Sequence, residues 1–460
     1  MDDNYLKRCG QNLQGIINDL KRRPEDAARE LQVSLLDFNS YLRGETDIPA
    51  EVVKRATEVW PVNERDFYCL RDDAPTGIKI MRATESARTS RIMERAGKPY
   101  YEYRDTACSS VGQFRPEWIK ELGVVNDDDP NNPEVQWNNG HFMHQFTYFV
   151  GPVNFYYRGQ YGEKKVAVMN TGDSMYITPF VPHTFATRKN DAGESGLILA
   201  LTYGNKLAGE TQQELSALGT ELAAEYALDF SSREKTAASL LRFHREAASV
   251  DYQELARRTG LPRLLLENYE ISAGRKFMPP HADLKSIASA LHIDLRELLP
   301  PDSIEERVIV RNYQENPRWN YPSDNPAYTL VELAGTRHLP HSKALELTVR
   351  KGWYHEISNL DLKVGLHQYV YNVGKIQVEI NWSLNGENYH QEIQPDDSLY
   401  IKPFVPHNFR GQDGKLLVLR IGGRAAGEPQ RELSLIGKEN ADRAIAEMMP
   451  WFNKEGRNKV

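Results

Sequence analysis

The sequence predicts an α+β protein made of two tandem copies of one unit, in which a helical module precedes a small jelly-roll β-barrel. Three observations predict this. The chain of 460 residues is too long for one ordinary domain. Distant segments repeat each other, and in each copy helical periodicity gives way to short strand-like runs. Apolar residues make up 40% and charged residues 26% of the chain, which is typical of a folded globular protein.

The clearest repeat joins two twelve-residue segments. Residues 172–183 read GDSMYITPFVPH and residues 396–407 read DDSLYIKPFVPH, so His183 and His407 are 224 positions apart. Two further pairs occur at nearly the same offset, AGETQQELS with AGEPQRELS and HQF with HQY. Three ordered matches indicate a tandem duplication of roughly 220 residues.

Each copy opens with a helical module. Residues 5–22 carry apolar side chains at helical spacing, and Pro24 with the two acidic residues after it predicts the start of a second helix. In the second copy, DYQELARRTGLPRLLLENYEISAGR and ADLKSIASALHIDLREL predict helices separated at Thr259-Gly260-Leu261. The pattern resembles the helix-turn-helix domain of phage-repressor-like regulators.

The helices are followed by strand-like runs between Gly, Asn, Asp and Pro turns. The first copy contains QFTYFV, PVNFYY, KVAVMN, SMYITPF and GLILALTY, and the second contains LHQYVYNV, IQVEINW, SLYIKPF and LLVLRIG. Alternating β-branched and aromatic residues favour a jelly-roll barrel. We therefore predict five segments: a helical module at 1–75, a first barrel at 76–205, a linker helix with a second helical module at 206–304, a second barrel at 305–425, and a helix and tail at 426–460.

Composition also argues against several classes of protein. The net charge of −7 gives no electrostatic footprint for nucleic acid or anionic membrane. No apolar run approaches the ~18 residues that span a bilayer, and the acidic start of the chain is unlike a signal peptide. Three distant cysteines indicate neither a disulfide framework nor a CxxC metal site. We expect a cytoplasmic protein without a membrane partner, with nucleic-acid binding disfavoured and a homo-oligomer possible.

The segments around Pro179 to Phe185 and Pro403 to Phe409 resemble the second sequence motif of cupins, in which a proline-rich turn presents a histidine into the barrel. Cupins add ligands from a first motif, which here is NNGHFMHQ from residue 138. A non-haem iron(II) site needs three protein ligands on one face. His141 and Gln145 share strand parity, whereas His144 points the other way. A straight strand would separate the first two by ~13 Å, so the chain must bend between them.

The duplication helps to separate ligands from structural residues. The second copy retains counterparts of His144, Gln145 and His183, but Val364 stands where the first copy has His141. Residues that both copies share can be explained by the fold, whereas a histidine in one copy needs a local reason. We therefore expect one metal site, in the first barrel, and a degenerate, metal-free second barrel. His144 is expected to be structural.

These motifs together are similar to those of the 2-hydroxyethylphosphonate-consuming oxygenases, which comprise hydroxyethylphosphonate dioxygenases and methylphosphonate synthases. The similarity rests on NNGHFMHQFTYFVGPVNFYY, on GDSMYITPFVPH and on the tandem halves, and it covers essentially the whole chain. It implies iron(II) as cofactor and O2 as co-substrate, without 2-oxoglutarate, flavin, nicotinamide or external reductant. It also implies cleavage of the carbon–carbon bond of 2-hydroxyethylphosphonate.

The two branches of this family differ at the ligands. Dioxygenase-type members carry a glutamate six residues before the second-motif histidine, and here that position is Ile177. The synthase branch uses two histidines and a glutamine, which His141, Gln145 and His183 match. The resemblance therefore implies methylphosphonate and carbon dioxide as products. The alternative is hydroxymethylphosphonate and formate.

The resemblance also implies residues that bind the phosphonate. Asn138 matches the family's asparagine, and Arg95 and Tyr103 match its arginine and tyrosine. Tyr100 and Tyr101 are expected to be core residues. Lys21 is a candidate that reaches over the site from its own or a neighbouring subunit; the alternative is a solvated helix terminus.

Two readings from other classes remain open at this point. Repressor-like helices joined to a cupin sensor occur in transcriptional regulators, although the negative net charge and the weakly basic SLLDFNSYLRG helix argue against DNA binding. A ligand-binding pair of cupins without catalysis is the other reading. Gel shift and oxygen consumption discriminate the two.

Overall fold

The protein is described by a computed structural model, which covers residues 3–204, 209–271, 278–301, 306–350, 362–446 and 449–451. Over this described part, helices and strands alternate in blocks, first helical, then β, then helical, then β, with two helices at the end. The chain is thus a mixed protein of helices and sheets, as its sequence predicts.

The first block is helical. Pro24 occupies the first turn of its helix, and Ser34 caps the next helix by accepting from the backbone N–H of Asp37. Leu13, Ile17, Phe38 and Trp60 are among the residues of its buried core. The helices are α1 (Asp3–Asp19), α2 (Pro24–Leu31), α3 (Leu35–Leu42) and α4 (Ala50–Val59), followed by a short 3-10 helix at Glu64–Phe67.

The second block contains the strands that carry the predicted metal ligands. Its elements are β1 (Ile78–Met81), α5 (Ala83–Arg88), β2 (Arg91–Arg95), β3 (Lys98–Asp105), β4 (Pro116–Glu121), β5 (Val124–Val125), β6 (His144–Val150), β7 (Val153–Arg158), β8 (Lys164–Met169), β9 (Ser174–Ile177), β10 (His183–Arg188) and β11 (Leu197–Tyr203). The five strand-like runs predicted for this copy coincide with β6, β7, β8, β9 and β11.

The third block is again helical. The predicted turn is confirmed, because α9 ends at Thr259 and Gly260 adopts a φ of 72°, a left-handed conformation that glycine takes without strain. The helices are α6 (Glu210–Leu218), α7 (Thr220–Ala224), α8 (Arg233–Ala247), α9 (Tyr252–Thr259), α10 (Arg263–Glu270) and α11 (His281–Leu291), with a 3-10 helix at Leu295–Leu298.

The fourth block repeats the strand pattern of the second, and two helices follow it. Its elements are β12 (Val308–Arg311), a 3-10 helix (Tyr313–Glu315), β13 (Arg318–Tyr321), β14 (Tyr328–Glu332), β15 (Ser342–Val349), β16 (His367–Asn372), β17 (Val378–Leu384), β18 (Glu387–Ile393), β19 (Ser398–Ile401), β20 (His407–Arg410), β21 (Lys415–Ile421), α12 (Glu428–Ile436) and α13 (Lys438–Ile445). Residues 447–448 and 452–460 of the predicted tail lie outside the described residues.

Within the described residues, each copy combines a seven-stranded sheet with a smaller one. In the first copy the order is β12-β9-β6-β11-β4-β3-β2 beside β5-β10-β7-β8. In the second it is β1-β19-β16-β21-β15-β14-β13 beside β18-β17-β20. The apolar faces enclose one buried core per copy, built around Phe149 and Phe185 in the first and Leu347 and Phe409 in the second.

The two copies exchange their first strands. Ile78–Met81, which lies within the predicted first barrel, pairs with Ser398–Ile401 of the second copy. Val308–Arg311, which lies within the predicted second barrel, pairs with Ser174–Ile177 of the first. Each large sheet therefore contains one strand from beyond the boundaries predicted near residues 76 and 305. A division into contiguous segments does not account for these two strands.

The large sheets of the two copies also pack against each other. A shared core joins Tyr148, Tyr176 and Leu201 of the first copy to Tyr371 and Leu417 of the second. Two equivalent hydrogen bonds link the copies in opposite directions. Ala107 N of the first copy donates to Ser398 Oγ of the second, and Ala334 N of the second donates to Ser174 Oγ of the first, both at 2.9 Å. The duplication is thus reproduced in the packing of the halves.

No helix in the described ranges is long and apolar enough to cross a membrane.

Candidate active site

Three predicted ligands converge at one end of the first copy's sheets. Gln145 is the second residue of β6 and His183 the first of β10, whereas His141 lies in the loop before β6. Gly140 turns this loop with a φ of 75°, and a Cβ there would lie 2.8 Å from the backbone of Phe180. The predicted bend is confirmed, because it brings His141 Nε2 to 2.9 Å from Gln145 Oε1 and the rings of His141 and His183 to 5.2 Å.

The histidine rings are oriented by backbone carbonyl groups. His141 Nδ1 donates to the carbonyl oxygen of Met143, and His183 Nδ1 donates to that of Val181, both at 2.8 Å. With the proton on Nδ1, each Nε2 presents a lone pair to the site, which is the arrangement of metal-ligating histidines. Burial lowers the pKa of His183 to about 4, so this ring is neutral at neutral pH.

The spacing of the ligand atoms fits a metal ion. With the His141 proton on Nδ1, Nε2 of His141 and Oε1 of Gln145 are both acceptors, and their 2.9 Å separation suits two ligand atoms of one bound cation. Neighbouring ligands of an octahedral ion with bonds of about 2.1 Å are about 3.0 Å apart. Two imidazole nitrogens and an amide oxygen suit a divalent first-row transition metal. The described residues contain no cluster of three or more His, Cys, Asp or Glu side chains that could hold a metal ion. The candidate set of two histidines therefore depends on the amide of Gln145 as its third member.

Asn138 lies beside this group with a fixed amide. Its Oδ1 accepts from the backbone N–H groups of Gly140 at 2.9 Å and His183 at 2.8 Å. Its Nδ2 is therefore turned toward His183 Nε2, at 3.3 Å. The amide thus presents an N–H donor at the edge of the ligand set, where an anionic ligand of the metal would accept it.

Arg95 and Tyr103 line the same interior. Arg95 Nη1 donates to the carbonyl oxygen of Gln136 at 2.7 Å, and its guanidinium lies 4.8 Å from the ring centroid of Tyr101. Burial raises the pKa of Tyr103 to about 12, and its hydroxyl has no hydrogen-bond partner among the described residues. Tyr100 and Tyr101 are buried and their hydroxyls are bonded, to Gln136 N and Thr184 Oγ1 among others, as expected of core residues.

The structure does not bring Lys21 into this group. Its ammonium donates to the carbonyl oxygen of Asp19 at 2.7 Å and lies 5.0 Å from the ring centroid of Trp451. The side chain is more than half exposed. A role for Lys21 over the site stays a prediction that would need a neighbouring subunit or another conformation.

Ile177 lies directly beside Gln145. The two residues face each other in register between β6 and β9, and Ile177 is fully buried. Side chains opposite each other in an antiparallel pair share a face of the sheet. The position that dioxygenase-type members fill with glutamate therefore adjoins the ligand set, and here it carries no charge.

His144 has the structural role that the duplication predicts. Its Nδ1 and Tyr176 Oη are 2.6 Å apart, and in the second copy His367 Nδ1 and Tyr400 Oη are also 2.6 Å apart. Both rings lie away from the ligand set, in the core between the copies, and burial lowers the pKa of each to about 4. A shared contact thus accounts for both histidines.

The second copy lacks two features of the ligand set. The carbonyl oxygen of Val364 accepts from Phe404 N at 2.7 Å, as that of His141 accepts from Phe180 N, so Val364 takes the place of His141. Arg420 Nε donates to Gln368 Oε1 at 3.0 Å. In the first copy this amide oxygen faces His141. In the second copy it is hydrogen-bonded to a positively charged guanidinium instead.

Sequence reasoning missed two carboxyl groups in the first barrel. Glu117 and Glu121 share a strand face with Ile119, which belongs to the core. Glu121 is 1% exposed, neither oxygen has a partner among the described residues, and burial raises the pKa of its carboxyl well above the ordinary value against the opposing effect of Arg95. Alternation in the segment PEWIKE was the signal that could have identified both.

Individual known proteins resemble this chain over nearly its whole length. No protein-family model matches. The chain is 53% identical over 456 residues to the methylphosphonate synthase of Nitrosopumilus maritimus strain SCM1, which covers 99% of this chain and 98% of that protein. Streptomyces albus HEPD, solved with substrate 2-hydroxyethylphosphonate and Fe(II) bound, superimposes with a TM-score of 0.89 at 38% identity over 98% of this chain and 100% of its own. Native PhpD with cadmium atoms has a TM-score of 0.72 at 20% identity over 95% and 98%, a likeness in fold alone.

Proposed function

The chain belongs to the methylphosphonate synthase family, and we propose that it converts 2-hydroxyethylphosphonate and O2 into methylphosphonate and carbon dioxide. Cleavage of the carbon–carbon bond with one molecule of O2 leaves water as the remaining product, so the reaction balances without an added reductant. Iron(II) is the cofactor, and 2-oxoglutarate, flavin and nicotinamide take no part. The observation that carries the proposal is the approach of His141 Nε2 to Gln145 Oε1 beside His183.

We assign the metal to His141, Gln145 and His183. Three protein ligands on one side leave the other coordination positions of iron(II) open to substrate and O2. Because all three ligands are neutral, the iron keeps its full double charge, which favours a dianionic phosphonate as partner. The bound iron supplies activation of O2.

We assign the phosphonate to Asn138, Arg95 and Tyr103, with Lys21 as a further candidate. The support is that Asn138 directs an N–H group to the edge of the ligand set and that the Tyr103 hydroxyl has no hydrogen-bond partner among the described residues. Arg95 adds a positive charge in the same interior. Charge-assisted donors of this kind bind phosphonate oxygens strongly.

The finer architecture is proposed in the same way. We propose two cupin-like barrels, the first catalytic and the second degenerate, each preceded by a helix-turn-helix-like module, with the boundaries given above except that β1 and β12 each join the sheet of the other copy. The alternating blocks and the paired sheets of each copy support it. We also propose a cytoplasmic enzyme, supported by three free cysteines.

A second candidate is the dioxygenase activity, which gives hydroxymethylphosphonate and formate. The likeness to Streptomyces albus HEPD favours it. The buried Ile177 beside Gln145 argues against it, because an aliphatic side chain cannot supply the carboxylate ligand of dioxygenase-type members.

The test is to load the protein with iron(II) anaerobically, to add 2-hydroxyethylphosphonate and air, and to follow the products by phosphorus NMR. We expect methylphosphonate as the main product, with O2 consumed and no reductant added. Hydroxymethylphosphonate as the main product would assign the chain to the other activity. No turnover and no oxygen uptake would exclude both.

A further inference from the structure

The amide of Gln145 must be oriented to serve as a ligand. An amide carries an oxygen and an NH2 group, and only the oxygen has lone pairs that can bind a metal. Gln145 Nε2 donates to Thr147 Oγ1 at 2.9 Å, and Thr147 is fully buried. Because Thr147 lies two residues farther along β6, its side chain shares the face of Gln145.

We propose that Thr147 is a positioning residue that holds the amide of Gln145 with Oε1 toward the metal. The inference rests on the proposed function, because it takes Gln145 as a metal ligand. Thr147 receives the NH2 group on one side, so the oxygen is left facing His141 Nε2. A half-turn of the amide would direct N–H groups at the metal and remove one of three ligands.

The second copy provides a comparison within the same chain. Gln368 is the counterpart of Gln145, and two residues later Val370 stands where the first copy has Thr147. Gln368 Nε2 is buried and has no hydrogen-bond partner among the described residues. An unpartnered buried amide N–H is costly, and in the first copy Thr147 removes this cost. The threonine is thus present in the copy with a ligand set and absent from the copy without one.

A purely structural role for Thr147 makes a different prediction. Thr147 is β-branched, and its register partners on the neighbouring strands, Met175 and Ala200, both belong to the barrel core. Valine keeps that shape and removes only the hydroxyl. If packing were the role of Thr147, the valine variant would bind metal as the natural protein does.

The experiment measures the dissociation constant for iron(II) by anaerobic titration of the metal-free protein against a competing chelator. Losing an outer-shell partner of a metal ligand typically weakens binding about 10- to 100-fold, which we expect for Thr147→Val. Thr147→Ser, which keeps the hydroxyl, should restore most of the affinity. Val370→Thr is the matched control in the second copy and should leave it unchanged.

A carboxylate sharpens the test, because its two oxygens are equivalent and need no orientation. In a Gln145→Glu background, Thr147→Val should therefore change iron(II) affinity by less than about threefold, far below its effect beside the natural glutamine. An equal loss in both backgrounds would overturn the positioning role. Natural iron(II) affinity in Thr147→Val alone, with a natural circular dichroism spectrum, would overturn it too.

Failure of the proposed metal site has a separate signature. If His141→Ala binds iron(II) as tightly as the natural protein, the ligand assignment itself is wrong. If His141→Ala loses the metal and Thr147→Val does not, the ligand assignment stands and only the role of Thr147 is wrong.

Discussion

At the scale of single residues, each proposed ligand has one polar atom turned toward the site and another held by a hydrogen bond that points away from it. His141 and His183 donate to backbone carbonyl oxygens, and Gln145 donates to Thr147. These outward bonds select which atom faces the site. They arise from the bend after Gly140 and from the pairing of strands, so they follow from the fold rather than from the choice of ligand residues.

Arg95 provides the first test at this scale. Losing one charge-assisted contact typically costs about 1.5–3 kcal/mol, so Arg95→Ala should weaken binding of 2-hydroxyethylphosphonate roughly 10- to 150-fold. Steady-state kinetics should show this mainly as a higher KM. Arg104→Ala is the matched control, because that guanidinium also lies on an aromatic ring, 4.1 Å from the centroid of Trp118, and pairs with Glu102. Unchanged kinetics in Arg95→Ala would remove Arg95 from the site.

Glu121 provides a test that depends on pH. Burial raises the pKa of its carboxyl in the folded protein, so above the unfolded pKa the folded state holds a proton that the unfolded state releases. The free energy of unfolding should then fall as pH rises, by about 1.4 kcal/mol per pH unit for this group. Glu121→Gln removes this loss.

Urea unfolding at pH 5 and pH 7.5 measures the effect. We expect Glu121→Gln to be more stable than the natural protein at pH 7.5, with a smaller difference at pH 5. A less stable variant at pH 7.5 would contradict a protonated Glu121 in the folded protein.

Part of this site could be predicted from sequence. The duplication separated His141, which is specific to the first copy, from His144, whose contact with tyrosine recurs in the second. Thr147 and Glu121 could not be assigned roles in this way, because their roles depend on which side chains meet across strands. The role proposed for Thr147 depends on the hydrogen bond that its hydroxyl accepts from the amide of Gln145.

At the scale of elements, the exchange of β1 and β12 ties the copies together. Each is a four-residue strand that leads its own copy and ends at the edge of the other copy's sheet. Edge strands expose unpaired backbone groups, and the exchange covers one edge in each copy. The strand-like runs predicted from the sequence do not include these two strands, and the sequence could not show which sheet they join, because apolar alternation is the same for either partner.

The helical modules give a prediction at the same scale. Two exposed arginines of the second module form ion pairs on their own helices, because Arg263 pairs with Glu267 at 2.7 Å and Arg257 with Glu254 at 2.6 Å. We therefore expect weak binding to duplex DNA that falls steeply with salt. Fluorescence anisotropy with a labelled duplex measures it. A nanomolar, sequence-selective complex at physiological salt would contradict this expectation and favour a regulator.

At the scale of the whole molecule, the two copies share one fold but differ in the residues of the proposed metal site. Both copies keep the buried second-motif histidine, with Nδ1 bonded to a carbonyl oxygen at 2.8 Å. The second copy replaces His141 with Val364 and directs Arg420 at the remaining glutamine. The fold thus retains the frame of the site in both copies, and only the first copy has all three proposed ligands.

The metal content of the chain tests this asymmetry most directly. After anaerobic loading with iron(II) and removal of the excess, elemental analysis should find one iron per chain. His141→Ala and His183→Ala should lose it, and His407→Ala, the matched change in the second copy, should keep it. Two irons per chain, or loss of iron in His407→Ala with retention in His183→Ala, would contradict the account.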